Sequence, residues 1–94
     1  MKPQSAKIDL KIERVLKSLA NRRRLAILKY LAKTRFATVN DIAEEIHLSH
    51  KSTSKHLKIL TAVDILEHEQ SNKYVFYRVA DDLPTLVHPI IKML

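Results

Sequence analysis

The sequence contains no glycine, no cysteine and no tryptophan. Average usage of about 7% would supply roughly six glycines in a chain this long. Phosphate-cradling loops and oxyanion holes usually need glycine where backbone approaches a substrate, so those enzyme classes lose their usual means. Every sharp turn must instead be built from Asn, Asp, His or Ser. Without cysteine there is no disulfide, no thiolate chemistry and no cysteine-ligated metal. The opening "MKPQSAKIDLKIE" has no apolar run suited to a signal peptide, and no stretch approaches the ~18 apolar residues of a membrane-spanning helix. A cytoplasmic protein with no membrane partner is the expectation. A last absence is local: no acid occurs between Glu45 and Asp64.

What is present is positive charge and enough apolar residues for one core. The chain has 94 residues, 46% of them hydrophobic. A domain of that size has little stability to spare, and a partner subunit would help. Lys and Arg number 17 against 10 acids, a formal net charge of +7, with a pI near 9.9. That balance favours a polyanion such as nucleic acid, or an acidic membrane surface. A surface that is basic merely for solubility explains the charge as well. No repeat, low-complexity tract or linker interrupts the chain, so residues 1–94 read as one domain.

Residues 5–19 place Ile8, Ile12, Val15, Leu16 and Leu19 at helical spacing, which predicts a first amphipathic helix. Asn21 has the chemistry of an N-cap for a second helix, "NRRRLAILKYLAK", with Leu25, Leu28 and Leu31 inward. Three arginines in its first turn oppose the helix dipole, which points either to an anionic partner or to tolerated surface charge. In "TVNDIAEEI" Thr38 and Asp41 form a shortened capping box before Ile42 and Ile46, a short third helix. A fourth follows after only His47 and Leu48. Ser49 caps it, and Thr53, Leu57 and Leu60 recur at i, i+4 and i+7, marking a buried stripe. His50, Lys51, Ser54, Lys55 and Lys58 fall on the opposite side, giving a cationic, hydroxyl-rich outer face.

From Ile65 the periodicity changes. "ILEHEQ" and "KYVFYRVA" are β-prone runs separated by Ser71 and Asn72, and they predict a hairpin. In the tail, Leu83, Leu86, Val87, Ile90, Ile91 and Leu94 share one helical stripe. Asp81 and Asp82 precede it as a cap, Pro84 suits a first turn, and Pro89 should kink or divide the helix. The fold class is therefore mainly α with a small β-hairpin (α+β): four helices, the hairpin and a fifth helix, the order of a winged helix-turn-helix.

The residues resemble one family in particular, the ArsR/SmtB-like bacterial and archaeal transcriptional repressors. "LKSLANRRRLAILKYL" is similar to the family's Leu-Ala-Asp-x-x-Arg-Leu-x-Ile-Leu opening. "LSHKSTSKHLKIL" resembles its recognition helix, Leu-Ser-Gln-Ser-x-x-Ser-x-His-Leu-Lys-x-Leu. "KYVFYRV" resembles its wing strand. The likeness covers about two-thirds of the chain without a gap, and its specificity lies in the three pieces occurring in order. The family commonly has glycine at three turns where this chain has His47, Asp64 and Asn72, residue types enriched at positive φ. Metal-sensing members use a Cys-x-Cys pair in the third helix or Asp/His pairs on the last helix. Here the first place reads "TVND", and the second keeps Asp81, Asp82 and His88 without the other half. Three or four convergent ligands are needed, so no metal and no other cofactor is expected.

The resemblance implies a sequence-specific repressor that binds double-stranded DNA as a homodimer. In a helix-turn-helix the second helix enters the major groove, and its N-terminal residues reach base edges. Ser49, His50, Lys51, Ser52 and Ser54 are candidates for reading bases, and Lys55 and Lys58 for phosphates. His56 is a candidate either for packing or for DNA, as the family's equivalent histidine is. Gln70, Ser71, Asn72 and Lys73 form the wing tip, which would cross the adjacent minor groove or backbone. Ile8, Ile12 and Val15 of the first helix, with Leu86, Val87, Ile90, Ile91 and Leu94 of the tail, are the candidate dimer interface. The competing class is a winged helix used for protein binding within a transcription or replication assembly, which would leave the acid-free face unexplained. No acid–base constellation is evident, so an enzyme is not expected. No inducer can be named.

Overall fold

The computed structural model describes residues 8–94. Five helices and three strands occur in the order α1 (Leu10–Leu19), α2 (Arg22–Thr34), β1 (Ala37–Thr38), α3 (Val39–Ile46), α4 (His50–Ala62), β2 (Leu66–Ser71), β3 (Tyr74–Val79) and α5 (Val87–Met93). Four helix starts follow the side-chain capping rule. Asp9 accepts from the Lys11 N–H, Asn21 from Arg24, Thr38 from Asp41 and Ser49 from Ser52. The Thr38–Asp41 pair is a reciprocal capping box. Asp9 starts α1 later than the apolar spacing suggests, and residues 5–7 of that expected helix lie outside the described residues.

Helix ends are made without glycine. His47 at φ 55 and Asp64 at φ 62 adopt left-handed backbone, and each is followed by a bond closing the last turn: Leu48 N–H to Ala43 O and Ile65 N–H to Leu60 O, both 3.0 Å. This is the Schellman arrangement, in which the next residue's N–H reaches back six positions inclusive. Asn72 at φ 56 makes the hairpin turn, so all three substitutions for glycine act as the sequence suggests. Arg35, at φ 79 and ψ −47, ends α2 differently, with its own N–H on Leu31 O at 2.8 Å, and has no sequence signal beyond its position.

β3 is the centre of a three-stranded antiparallel sheet, with β2 on one side and β1 on the other. The hairpin register runs from Leu66 opposite Val79 to Ser71 opposite Tyr74, so the turn is Asn72–Lys73, one residue later than the sequence reading. β1 has two residues, Ala37 opposite Tyr77 and Thr38 opposite Phe76; a strand that short has no periodicity to detect.

The core joins α2 to everything else. Ile27, Leu28 and Leu31 pack with Ile42 of α3, Leu57 and Leu60 of α4, Ile65 and Leu66 at the start of the wing, and Val87 of α5. Truncating a side chain such as Leu57 to alanine would cost about 2–5 kcal/mol. The tail differs from expectation. Residues 84–87 form a turn, closed by Val87 N–H to Pro84 O at 2.9 Å, and the helix begins at Val87. Pro89 is then its third residue, where no intrahelical partner awaits an N–H, so the proline neither kinks nor divides it. Asp81 does not cap this helix. It accepts from Arg78 at 3.3 Å, and Arg78 also holds Glu67 at 2.7 Å.

Candidate nucleic-acid interface

The helix-turn-helix is α3, the His47–Ser49 turn and α4. Ser49 begins α4 because its Oγ accepts the Ser52 N–H at 3.1 Å, leaving its hydroxyl proton free to donate outward. Thr53, Leu57 and Leu60 are fully buried and fix the helix against α2 and α3. With that stripe inward, His50, Lys51, Lys55 and Lys58 are exposed, and Ser52 and Ser54 lie half-buried along the border. None of the three lysines has an ion pair or a side-chain hydrogen bond among the described residues. The absence of acids from 46 to 63 explains this locally. Ammonium groups left so are fully hydrated point charges, available to a polyanion.

The wing stands beside this face. Gln70, Ser71, Asn72 and Lys73 are all exposed at its tip. Lys58 of α4 and Gln70 of β2 border one groove, floored by Thr61, His68, Val75 and Tyr77, so recognition helix and wing form one continuous surface. Burial raises the Tyr77 phenol above its ordinary pKa.

His56 is placed differently from its neighbours. It is half-buried and turned toward α2, where Arg24 Nη1 lies 3.2 Å from its Nδ1. Burial, and then the charges of Arg24 and Arg23, push the imidazole pKa below the ordinary 6.5. Arg24 itself spans two elements. Its Nε donates to Ser18 O at 2.5 Å and its Nη2 to Lys17 O at 3.4 Å, capping the carboxyl end of α1. Arg23 Nη1 likewise donates to Ile46 O at 3.3 Å, at the carboxyl end of α3. Two of the three arginines that oppose the α2 dipole therefore serve the negative ends of two neighbouring helices, a favourable placement. Sequence reasoning missed these roles. The signal available was Arg24 in the motif itself, but its acceptors are backbone atoms, which no side-chain pattern reveals.

Elsewhere, α1 shows an apolar outer surface. Leu10 is 69% exposed, and Ile8, Ile12 and Leu16 are exposed beside it, with Met93 of α5 at 81%. Two residues assigned to an inter-subunit surface on the sequence are placed elsewhere: Val15 is 3% exposed and Val87 0%, both within the subunit's own core. A stripe at helical spacing does not say which of its members a short neighbouring helix covers. Leu86, Ile90, Ile91 and Leu94 are half-buried against that core. Among the described residues no three His, Cys, Asp or Glu side chains converge, and no helix is long and apolar enough to cross a membrane.

A second exposed apolar feature lies on the outer face of the sheet. Phe36 and Phe76 meet edge to face at 5.7 Å, and Tyr74 stands 6.3 Å from Phe76.

Comparison with known proteins agrees with this geometry. The model of the "Bacterial regulatory protein, arsR family" matches residues 21–68, from the α2 cap into β2. The HTH-type transcriptional repressor SmtB of Mycobacterium tuberculosis is 34% identical over 67 residues, covering 71% of this chain and 49% of the relative. The chain thus spans about half the length of that curated relative. Reduced HlyU from Vibrio cholerae superposes with a TM-score of 0.79 at 28% identity, over 99% of this chain and 94% of HlyU. The homodimeric winged helix-turn-helix DNA-binding domain of Mb0332 from Mycobacterium bovis gives 0.77 at 28%, over 99% and 82%. With winged helix-turn-helix architecture, sequence match and structural neighbours in agreement, the chain belongs to the arsR family of bacterial regulatory proteins.

Proposed function

We propose that this chain is a DNA-binding transcriptional repressor that reads a palindromic operator as a homodimer and needs no regulatory metal. The observation that carries the reading is the outer face of α4, where Lys51, Lys55 and Lys58 form no ion pair among the described residues and Lys58 shares a groove with the wing residue Gln70. Ser49 to Ser54 occupy the N-terminal turns that reach base edges, whereas Lys55 and Lys58 lie farther along, toward phosphates. The repressor named SmtB among the relatives, and the homodimeric domain among the structures, support repression and pairing.

Pairing is further supported by the exposed Leu10, Ile12 and Leu16 of α1, an apolar surface that a small subunit has reason to cover. Selection from a random DNA pool should recover inverted half-sites centred about one helical turn apart. Replacing Ile12→Asp together with Leu16→Asp should give a folded monomer in sedimentation and abolish binding to that duplex. A wild type that sediments as a monomer at micromolar concentration overturns the dimer. Zinc, cobalt or nickel should change affinity for the selected duplex by less than about threefold, under 1 kcal/mol, and stoichiometric release by any of them overturns the metal-free reading.

One observation favours a protein-binding winged helix instead: both phenylalanines of the chain lie on the outer face of the sheet, with Phe36 59% exposed. A selection that recovers no preferred duplex would turn the assignment that way.

A further inference from the structure

Arg24 and His56 sit in separate helices, 32 positions apart, and meet at 3.2 Å. A guanidinium has five N–H donors and no acceptor, so His56 Nδ1 must be the acceptor. The ring is then neutral, with its one proton on Nε2. Nε2 has no partner among the described residues and is not among the buried unpartnered atoms, so it reaches solvent. The other two bonds of Arg24, to the carbonyls of Ser18 and Lys17, prevent the guanidinium from swinging away from the ring.

We propose that Arg24 is a positioning residue for DNA recognition: it locks the tautomer of His56 so that the ring presents a single N–H donor, Nε2, from α4 toward a DNA phosphate. The proposal rests on the DNA-binding reading above. The same bond ties α4 to the carboxyl end of α1, whose outer surface is the proposed dimer contact, so the donor is held in register with the subunit pair. A histidine free to exchange tautomers would present a donor at that position only part of the time. One that gained a second proton would lose the Arg24 bond and face two cations, Arg24 and Arg23. Burial and those same two charges hold the pKa down, which agrees with a ring kept neutral.

The direct test is nitrogen NMR of the imidazoles in the full chain, which distinguishes the two neutral tautomers without DNA. The His56 signals are assigned by their loss in His56→Asn. The expected result is one tautomer, protonated at Nε2, in the wild type, and a mixture with a raised pKa in Arg24→Gln. A wild-type ring protonated at Nδ1, or a spectrum unchanged by Arg24→Gln, overturns the positioning role whether or not the protein binds DNA. If Arg24→Gln fails to fold, Arg24→Lys keeps the charge while losing the fork and is compared in its place. On the duplex recovered by selection, Arg24→Gln and His56→Asn should each weaken binding about tenfold, the effect of one hydrogen bond near 1.4 kcal/mol. The double variant should lose no more than the larger single loss. Additive losses would show that Arg24 does not act through His56, and unaltered binding in His56→Asn that Nε2 makes no DNA contact.

Discussion

The start of α2 and the outer face of α4 each carry three cations, Arg22, Arg23 and Arg24 against Lys51, Lys55 and Lys58, and both runs lack a nearby acid in sequence. In the folded chain they differ. Arg23 and Arg24 direct their donors at carbonyls of Ile46, Ser18 and Lys17, and only Arg22 is without a partner among the described residues. The three lysines of α4 make no side-chain bond of this kind among the described residues. Guanidinium geometry explains the first case, since a planar fork can satisfy carbonyls from two helices at once. Position explains the second: helix ends lie within reach of the α2 start, whereas no helix end accepts from the α4 lysines among the described residues. Clustered charge is therefore evidence for a polyanion only after the carbonyls in reach have been counted.

Substitutions should separate the two runs. The largest effect is expected for Arg24→Ala, which removes donors from the α1 carboxyl end and from His56. With charged hydrogen bonds contributing about 1.5–3 kcal/mol each and partial solvent replacement, a loss near 3 kcal/mol is expected. The thermal midpoint should then fall by more than about 10 °C in a domain of this size. Lys51→Ala or Lys58→Ala should change stability by less than about 0.5 kcal/mol. Equal midpoints in melts of all three would erase the distinction.

On DNA binding the α4 variants should have their effect. Lys51→Ala or Ser54→Ala should narrow the gap between the selected duplex and random DNA, losing roughly 1–3 kcal/mol on the selected one if a good base contact goes. Lys58→Ala is a finer probe. It should weaken both DNAs alike and reduce the log–log salt slope by about 0.9, one phosphate contact. Titrations at several salt concentrations on both duplexes distinguish reading from holding, and wild-type behaviour in all three variants would leave α4 a solvated face.

The smallest effect concerns protons. His56 has its folded pKa below the ordinary 6.5, so just beneath that value the unfolded chain binds more protons than the folded one. Acidification through that window should destabilise the fold, and above about 6.5 the contribution should be constant. His56→Asn should flatten this part of the profile. Urea titrations at roughly pH 5 to 8, the range in which histidine charge changes, measure it, and parallel profiles would show that the Arg24 contact does not depend on protonation.

Much of this architecture was legible because capping and periodicity are local. Asn21, Thr38 and Ser49 start their helices as their side chains suggest, and His47, Asp64 and Asn72 turn left-handed where glycine is missing. The outer face of α4 follows from Thr53, Leu57 and Leu60 being inward. What was not legible depends on distant packing. β1 exists only because β3 offers Tyr77 and Phe76 as partners. Val15 and Val87 are covered by their own subunit, and His56 meets Arg24 of α2 through Nδ1. Pro89 was misread through a boundary: a helix begun at residue 83 would be broken by it, but one begun at Val87 accommodates it.

The four positive-φ residues Arg35, His47, Asp64 and Asn72 also bear on the unfolded chain. Glycine at such a position would relieve native strain of about 1–2 kcal/mol at most, while widening the unfolded ensemble by about 0.4–1 kcal/mol of entropy. The strain exceeds the entropy gained, so each such bend costs the fold roughly up to 1 kcal/mol. The distribution of conformations changes too. A chain with a side chain at every bend has fewer shapes to sample before folding, and the α3–α4 corner that sets the cationic helix is drawn from that narrower set. Its angle is held by what the disordered polypeptide cannot do as well as by what the native one does.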